Sequence, residues 1–196
     1  SEFIAVYGRR RVGKTFLIRE TFNYKFTFQH TGMANTTSKN QLVNFRDSLI
    51  EQGAIKVPKL NNWLEAFSEL KRFLNTSIDE RKLVFIDELP WLDTPKSDFL
   101  SALEHFWNGW ATSRKDIVLV VCGSATSWIV EKIINNHGGL HNRLTKRIKL
   151  NPFTLKECEA FIESKHISMN RYQLVEAYMV LGGIPYYWNF LKKGLS

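Results

Sequence analysis

The residues with the clearest chemistry form a loop near the start of the chain that is rich in glycine and basic side chains. The segment GRRRVGKT, residues 8–15, fits the pattern G-x-x-x-x-G-K-S/T at every fixed position. It follows the apolar run FIAVYG and precedes a helical pattern, which is the context that a phosphate-binding loop requires. Gly8 and Gly13 let successive backbone N–H groups point inward at phosphate oxygens. The following helix directs its positive end at the same place.

The side chains of this loop predict the ligand. We expect Lys14 to reach the β- and γ-phosphates of ATP as a point charge, and the Thr15 hydroxyl to ligate Mg²⁺. The other residues assigned to the nucleotide, through backbone or side chain, are Arg9, Arg10, Arg11, Val12 and Phe16. For the three arginines an alternative stays open, in which they point to solvent from the outer side of the loop.

A pair of acids ends a second apolar strand pattern. LVFIDE, residues 83–88, places Asp87 at the carboxyl end of a strand, where parallel sheets bind their ligands. Asp87 is predicted to hold Mg²⁺, directly or through water. Glu88 is predicted to polarise the attacking water as a general base, which indicates an ATP hydrolase rather than a nucleotide kinase or a GTPase. The alternative for Glu88 is a solvated acid at a strand end.

Three further residues are candidates for contacts around the γ-phosphate and the base. Ser124 ends the next strand and is expected to position the water or sense the γ-phosphate, to cap the following helix, or both. Arg143 follows a glycine-containing loop and is a candidate arginine finger, in its own subunit or a neighbour's, with a surface arginine as the alternative. Pro185, in GGIPYYW, is a candidate for packing on the adenine face, unless this segment is a plain helix–helix joint.

The elements that position these residues alternate between strand and helix patterns. One helix is predicted to begin near Thr37 or Ser38, where Ser38 and Gln41 resemble a capping box. Another is predicted from about Ala125 to Asn135. The alternation implies a mostly parallel sheet covered on both faces, formed by residues 1–150, with a small helical lid over residues 151–196. The predicted strands are residues 3–8, 25–32, 82–89, 117–124 and 145–153.

The composition narrows the class of protein. Hydrophobic residues make up 44% of the chain, and no apolar run approaches the ~18 residues of a membrane-spanning helix. Cys122 and Cys158 form no CxxC pair, so we expect a cytoplasmic protein without a disulfide framework. The net charge of +8 is compatible with nucleic-acid binding, although basic side chains spread over solvated faces explain it equally simply.

The chain resembles the archaeal-type ATPase family found in archaea and bacteria, which is related to the AAA+ and STAND ATPases. The resemblance covers nearly the whole chain. GRRRVGKT and GGIPYY are the parts most particular to this family. The segments that carry the resemblance, in chain order, are YGRRRVGKT, LVFIDELPWL, CGSATSW, GGLHNRLTKRIKLNPF and GGIPYYW.

The resemblance implies an α/β P-loop core with strand order 5-1-4-3-2, a helical lid and usually further C-terminal domains, such as a winged-helix element and a nuclease-like domain. The chain is therefore expected to lack such domains and the segment that commonly precedes the first strand. One loop departs from the family pattern, because Gly-Pro-Leu-Tyr-Gly-Arg is replaced by GGLHNR at residues 138–143. By resemblance, phosphate and Mg²⁺ binding falls to Gly8, Gly13, Lys14 and Thr15, the acid pair to Asp87 and Glu88, the sensor to Ser124, the finger to Arg143 and the lid motif to Pro185.

The sequence therefore predicts a P-loop domain of the AAA+/STAND type that binds and hydrolyses Mg-ATP. Two alternatives stay open: an ATP-gated regulatory switch with negligible turnover, and a DNA-processing motor, which the net charge of +8 would suit. Nucleic-acid or protein partners that act through the missing C-terminal domains, and a homo-oligomer, are further expectations. A membrane partner is not expected.

Overall fold

The apolar runs of the sequence form the strands of one parallel sheet. The computed structural model describes residues 1–135 and 138–192 of the chain. Within them, the spatial strand order is β2-β3-β4-β1-β5 and every neighbouring pair is parallel. Read from the other edge, this is the predicted order 5-1-4-3-2, which is confirmed. The strands are β1 (Glu2–Tyr7), β2 (Phe28–Thr31), β3 (Lys82–Asp87), β4 (Ile117–Gly123) and β5 (Lys146–Lys149).

Helices cover both faces of the sheet. Helix α1 packs on one face, over a small apolar cluster, and helices α2 to α5 pack on the other, over the main core. None of the described helices combines the length and the apolar character that a bilayer crossing requires. The helices are α1 (Lys14–Thr21), α2 (Ser38–Glu51), α3 (Trp63–Thr76), α4 (Phe99–Gly109), α5 (Thr126–Trp128, continued by a π-helix over Ile129–Ile134), α6 (Leu155–Ser164), α7 (Arg171–Leu181) and α8 (Pro185–Trp188).

The central strands are buried along their whole length, and the edge strands are shorter than predicted. All residues of β3 and β4 are buried, as expected for strands covered on both faces. Strand β2 starts only at Phe28, rather than residue 25. Strand β5 spans Lys146–Lys149 rather than 145–153, because it pairs only with the last four residues of β1 and all its side chains are exposed. Strand β3 stops at Asp87, since Glu88 adopts a left-handed conformation with φ 48°.

The start of α2 differs from the predicted capping box. The cap is Thr37, whose side chain accepts a hydrogen bond from the N–H of Asn40. Gln41 is fully buried, and its side-chain amide forms hydrogen bonds with the backbone of Met33 and of Trp91. The capping-box assignment to Ser38 and Gln41 was therefore wrong, because a long-range contact uses the glutamine instead.

The helices after β5 form a separate small layer, which we call the lid (the described part is residues 151–192). The lid has its own hydrophobic cluster, in which Cys158, Ile162 and Trp188 are buried. Within the lid, the N–H of Phe153 donates to the carbonyl of Gly183, so the segment that enters the lid after β5 is tied to the start of α8. A Cβ at Gly183 would lie 1.8 Å from the carbonyl oxygen of Phe153, so only glycine allows this close approach. Residues 193–196 of the predicted lid lie outside the described residues.

Candidate active site

The loop between β1 and α1 has a backbone that explains its glycines. Gly8 has φ +146°, and a Cβ there would lie 2.1 Å from the carbonyl oxygen of Leu150. The close approach follows from pairing, since the N–H of Leu150 donates to the carbonyl of Tyr7 at 2.8 Å. Gly13 has φ +93° and begins α1. A residue with a side chain would be strained at either position. The two fixed glycines of the motif therefore have separate structural reasons.

The first turn of α1 is not capped by a side chain. Gly13 is its N-cap residue and offers no acceptor. The Nζ atom of Lys14 donates to the carbonyls of Gly8 and Arg9, at 3.0 Å each, and the side chain is only 6% exposed. A positive charge, the helix dipole and backbone N–H groups without a side-chain acceptor therefore meet at one point. This combination favours an anion.

Two oxygen-bearing side chains lie next to this turn. The Thr15 hydroxyl donates to Oδ2 of Asp87 at 2.8 Å, and Asp87 is buried. Hydroxyl and carboxylate oxygens are the donors that Mg²⁺ prefers, and this ion usually keeps several waters and phosphate oxygens as its other ligands. In the described part of the chain no group of three or more His, Cys, Asp or Glu could hold a metal. The pair thus fits Mg²⁺ that arrives with a nucleotide better than a metal caged by protein alone.

The second oxygen of Asp87 is held from within the sheet. Its Oδ1 accepts the backbone N–H of Glu88 at 2.9 Å and the thiol of Cys122 at 2.7 Å. Burial, and then the Asp87 charge, raise the pKa of the Cys122 thiol, so it stays a protonated donor. Sequence reasoning missed Cys122. The register of β3 against β4 could have indicated this contact. Ile86 pairs with Val121, and the next residues on the two strands are Asp87 and Cys122.

Glu88 and Ser124 are brought together by the structure. The carboxylate Oε2 of Glu88 accepts the backbone N–H of Ser124 at 3.2 Å and its hydroxyl at 3.1 Å. Helix α5 begins at Thr126 and has no side-chain cap, so the capping role considered for Ser124 was wrong. The serine instead orients the carboxylate that was predicted to be the general base.

A cavity of about 470 Å³ lies between the loop and the lid. Phe16 and Glu88 line it from the core, together with Lys14 and Thr15. Pro185 lines it from the lid, in agreement with its predicted position. Sequence reasoning missed three other lid residues that face the same space, because their positions depend on how the lid packs on the core; they are Phe161, Tyr186 and Asn189.

The remaining loop residues differ in where they point. Val12 is 3% exposed and does not line the cavity, so its side chain is not available to a ligand. Arg9 lines a neighbouring pocket, and Arg10 borders both that pocket and the cavity. Arg11 also borders the cavity, but its guanidinium contacts the lid tyrosine Tyr187. All three arginines are exposed, as the alternative expects, but Arg11 in addition contacts the lid.

Arg143 lies away from this cluster. The N–H of Thr145 donates to the carbonyl of Phe3, so Arg143 sits beside the beginning of β1, whereas the phosphate-binding loop follows its end. At ~3.3 Å per residue, the stretch from Phe3 to Gly8 covers roughly 16 Å, which is longer than an arginine side chain. Arg143 is exposed. This placement argues against a finger in its own subunit, while delivery to a neighbouring subunit and the surface arginine both stay predictions.

Comparisons with known proteins agree with this architecture. Residues 1–191 match the model of a family described as an ATPase domain predominantly from Archaea. An uncharacterised protein of Methanocaldococcus jannaschii is 27% identical over 204 aligned positions, which cover all of this chain and 42% of the relative. The chain thus spans less than half the length of that relative.

Solved structures show the same fold. The Walker-type ATPase of Pyrococcus abyssi superposes with a TM-score of 0.66 at 16% identity, over 95% of this chain and 60% of that protein. The ORC2 protein of Aeropyrum pernix, solved as ADPNP–ADP complexes, gives a TM-score of 0.56 at 14% identity, over 84% of this chain and 45% of that protein. At these identities the similarity shows the fold alone.

Proposed function

Because the chain belongs to the family of ATPase domains found predominantly in Archaea, we propose that it binds ATP with Mg²⁺ and hydrolyses the β–γ phosphoanhydride bond. The observation that carries the proposal is that an uncapped helix start, Glu88 and Thr15, which is bonded to the buried Asp87, meet at one cavity. A phosphate chain, a divalent cation and an attacking water each have a matching group there.

The binding roles follow from the contacts. The backbone N–H groups from Gly8 to Thr15 would hold the phosphates, and Lys14 would exchange its two carbonyl partners for phosphate oxygens. Thr15 and Asp87 would hold Mg²⁺, which neutralises charge on the transferring phosphoryl group. The cavity walls formed by Phe16 and Pro185 offer apolar surface to the base.

The hydrolytic step would depend on Glu88. Its carboxylate borders the cavity and is fixed by two hydrogen bonds from Ser124. From there it would accept a proton from water as the oxygen attacks the γ-phosphorus, while ADP leaves in line and phosphate forms. Positioning and charge stabilisation supply most of the catalysis in such reactions, and no covalent intermediate is needed.

The metal dependence of nucleotide binding tests the proposal. Asp87→Asn should bind ATP in EDTA as well as the wild type does, but should gain much less affinity when Mg²⁺ is added, because an amide is a poorer ligand for this ion. Calorimetry with and without Mg²⁺ measures both quantities, and phosphate release measures turnover. If the wild type binds ATP equally well in EDTA and in Mg²⁺, and releases no phosphate, the proposal is wrong.

A second candidate function is an ATP-gated switch that turns over very slowly. The observation in its favour is that both donors of Ser124 occupy Oε2 of Glu88, so the carboxylate that would contact water is engaged elsewhere. In that case ATP binding would be tight and phosphate release negligible. Ser124→Ala would then increase turnover rather than reduce it.

A nucleic-acid partner is also proposed, on the basis of the edge strand β5. Its exposed Lys146, Arg147 and Lys149 place three cations along one edge of the sheet, which suits a phosphate backbone. DNA should then stimulate ATP turnover, with an effect that falls steeply with salt. Stimulation that is absent at every salt concentration would remove this proposal while leaving the ATPase proposal intact.

A further inference from the structure

One contact of the phosphate-binding loop reaches across to the lid. Nη1 of Arg11 donates to the hydroxyl of Tyr187 at 2.7 Å. The same guanidinium lies 4.7 Å from the ring centroid of Tyr186 and 5.5 Å from that of Tyr187. The two rings are nearly perpendicular, with centroids 5.6 Å apart, and both contact the planar guanidinium. Such a contact suits arginine in particular, since a lysine ammonium cannot stack and donate in this way.

The backbone directs Arg11 towards this contact. Its φ is +68°, a left-handed conformation that non-glycine residues adopt at a cost. In the same loop, Lys14 turns back onto the carbonyls of Gly8 and Arg9. The loop thus has one cation directed at its own interior and another directed at the lid. This division separates the role of Arg11 from that of Lys14.

The contact borders the cavity of the proposed nucleotide. Arg11 and Tyr186 both line the cavity, and Pro185 precedes Tyr186 on the same short helix. The chain passes from the core into the lid at residue 151, and Phe153, at the start of the lid, is bonded to Gly183 just before α8. The lid is therefore tied to the core through this covalent joint and again through Arg11. Release of the second contact would let α8 move away from the loop while the joint stays in place.

We propose that Arg11 is a positioning residue that holds the lid closed over the bound nucleotide, rather than a ligand of its phosphates. The inference rests on the proposed binding of ATP. It predicts that Arg11 acts on the part of the ligand that the lid covers, the nucleoside, and sets how long the nucleotide stays bound.

The test compares two ligands that differ by the nucleoside. Arg11→Ala should increase the dissociation rate of ATP roughly tenfold, which corresponds to ~1.4 kcal/mol, and should change the affinity for inorganic tripolyphosphate less than twofold. Tyr187→Phe should show a smaller effect of the same kind. Adding it to Arg11→Ala should change nothing further, because the two residues share one contact. The matched controls are the exposed lid residues Arg171→Ala and Tyr172→Phe, which should behave as the wild type.

Two results would overturn the inference. A parallel loss of ATP and tripolyphosphate affinity in Arg11→Ala, with Tyr187→Phe inert, would make Arg11 a phosphate ligand. Unchanged ATP dissociation in both variants would make the contact a surface feature without effect on the ligand.

A distance measurement separates this inference from the proposed function. Spin labels at Ser101→Cys on α4 and Glu176→Cys on α7 report the distance between core and lid, and both positions are exposed. Arg11→Ala should broaden that distance distribution in the protein without nucleotide. If the wild type binds no ATP, the proposed function fails, and the distances alone decide whether Arg11 holds the lid. An unchanged distribution would then contradict the contact's role.

Discussion

The first turns of α1 and α3 are built in opposite ways. At α3, the side chain of Asn62 accepts the N–H of Glu65 at 2.9 Å, and the Glu65 carboxylate accepts the N–H of Asn61 at 2.8 Å. At α1, Gly13 provides no side-chain acceptor and Lys14 adds a positive charge. One helix satisfies its own donors, whereas the other leaves them to a ligand. We propose that the first arrangement serves stability and the second anion binding.

The largest effect on ATP affinity is expected from removing the positive charge of Lys14 at the start of α1. Lys14→Ala should weaken ATP binding by at least roughly 100-fold, because two charge-assisted hydrogen bonds to phosphate are lost at ~1.5–3 kcal/mol each. The matched control is Lys39→Ala, an exposed lysine in the first turn of α2, where Thr37 provides the cap. Calorimetry measures both affinities. An unchanged dissociation constant in Lys14→Ala would remove the distinction between the two kinds of helix start.

The next prediction concerns turnover and the positive charge of Arg143, which lies away from α1 in its own subunit. Arg143→Ala should leave ATP affinity nearly intact and lower turnover, by ~10³-fold if the arginine acts as a finger. Because Arg143 lies beside the start of β1, the effect should depend on assembly. Turnover per subunit should rise with protein concentration in the wild type but not in the variant. Equal turnover of the two proteins at every concentration would make Arg143 a surface residue; Arg171→Ala, an exposed arginine of the lid, is the control.

A substitution at Ser124 tests whether its hydrogen bond positions the carboxylate of Glu88. Ser124→Ala removes one hydrogen bond to Glu88, so turnover should fall roughly 10- to 100-fold if the bond positions the base, given ~1.5–3 kcal/mol for a bond to a charged group. Nucleotide affinity should stay constant. Steady-state phosphate release gives the sign directly. An increase in turnover would contradict the positioning role and favour the slow switch.

The smallest effect is expected at α3. Asn62→Ala should lower the free energy of unfolding by ~0.5–2 kcal/mol, the usual contribution of an N-cap, and leave ATP affinity unchanged. Denaturant unfolding and calorimetry measure the two quantities. A loss of ATP affinity comparable to that of Lys14→Ala would show that stability and binding are not separated between these helices.

The parts of the site that were predictable from the sequence are those whose constraints are local. A loop between a strand and a helix needs its glycines and lysine at fixed spacing, and Asp87 follows directly from an apolar run. The strand order came from the resemblance to a known class. These features depend on few long-range contacts.

The parts that were not predictable depend on residues distant in sequence. Arg11 meets the lid 176 positions later in the chain, and Cys122 meets Asp87 across neighbouring strands. Ser124 was weighed as a helix cap because the local pattern allows it, but the structure pairs it with Glu88. The lengths of β2 and β5 were overestimated; both strands end where the partner strand ends, Thr31 opposite Asp87 and Lys149 opposite Tyr7.

The most direct test of the proposed hydrolysis is phosphate release by wild type and Glu88→Gln at saturating Mg-ATP, alongside ATP binding. We expect equal affinity and a rate lower by ~10²–10⁴-fold in the variant, which is the usual contribution of a general base. Glu65→Gln, which removes a carboxylate from the first turn of α3, should keep wild-type turnover. Wild-type turnover in Glu88→Gln would contradict the assignment of the general base.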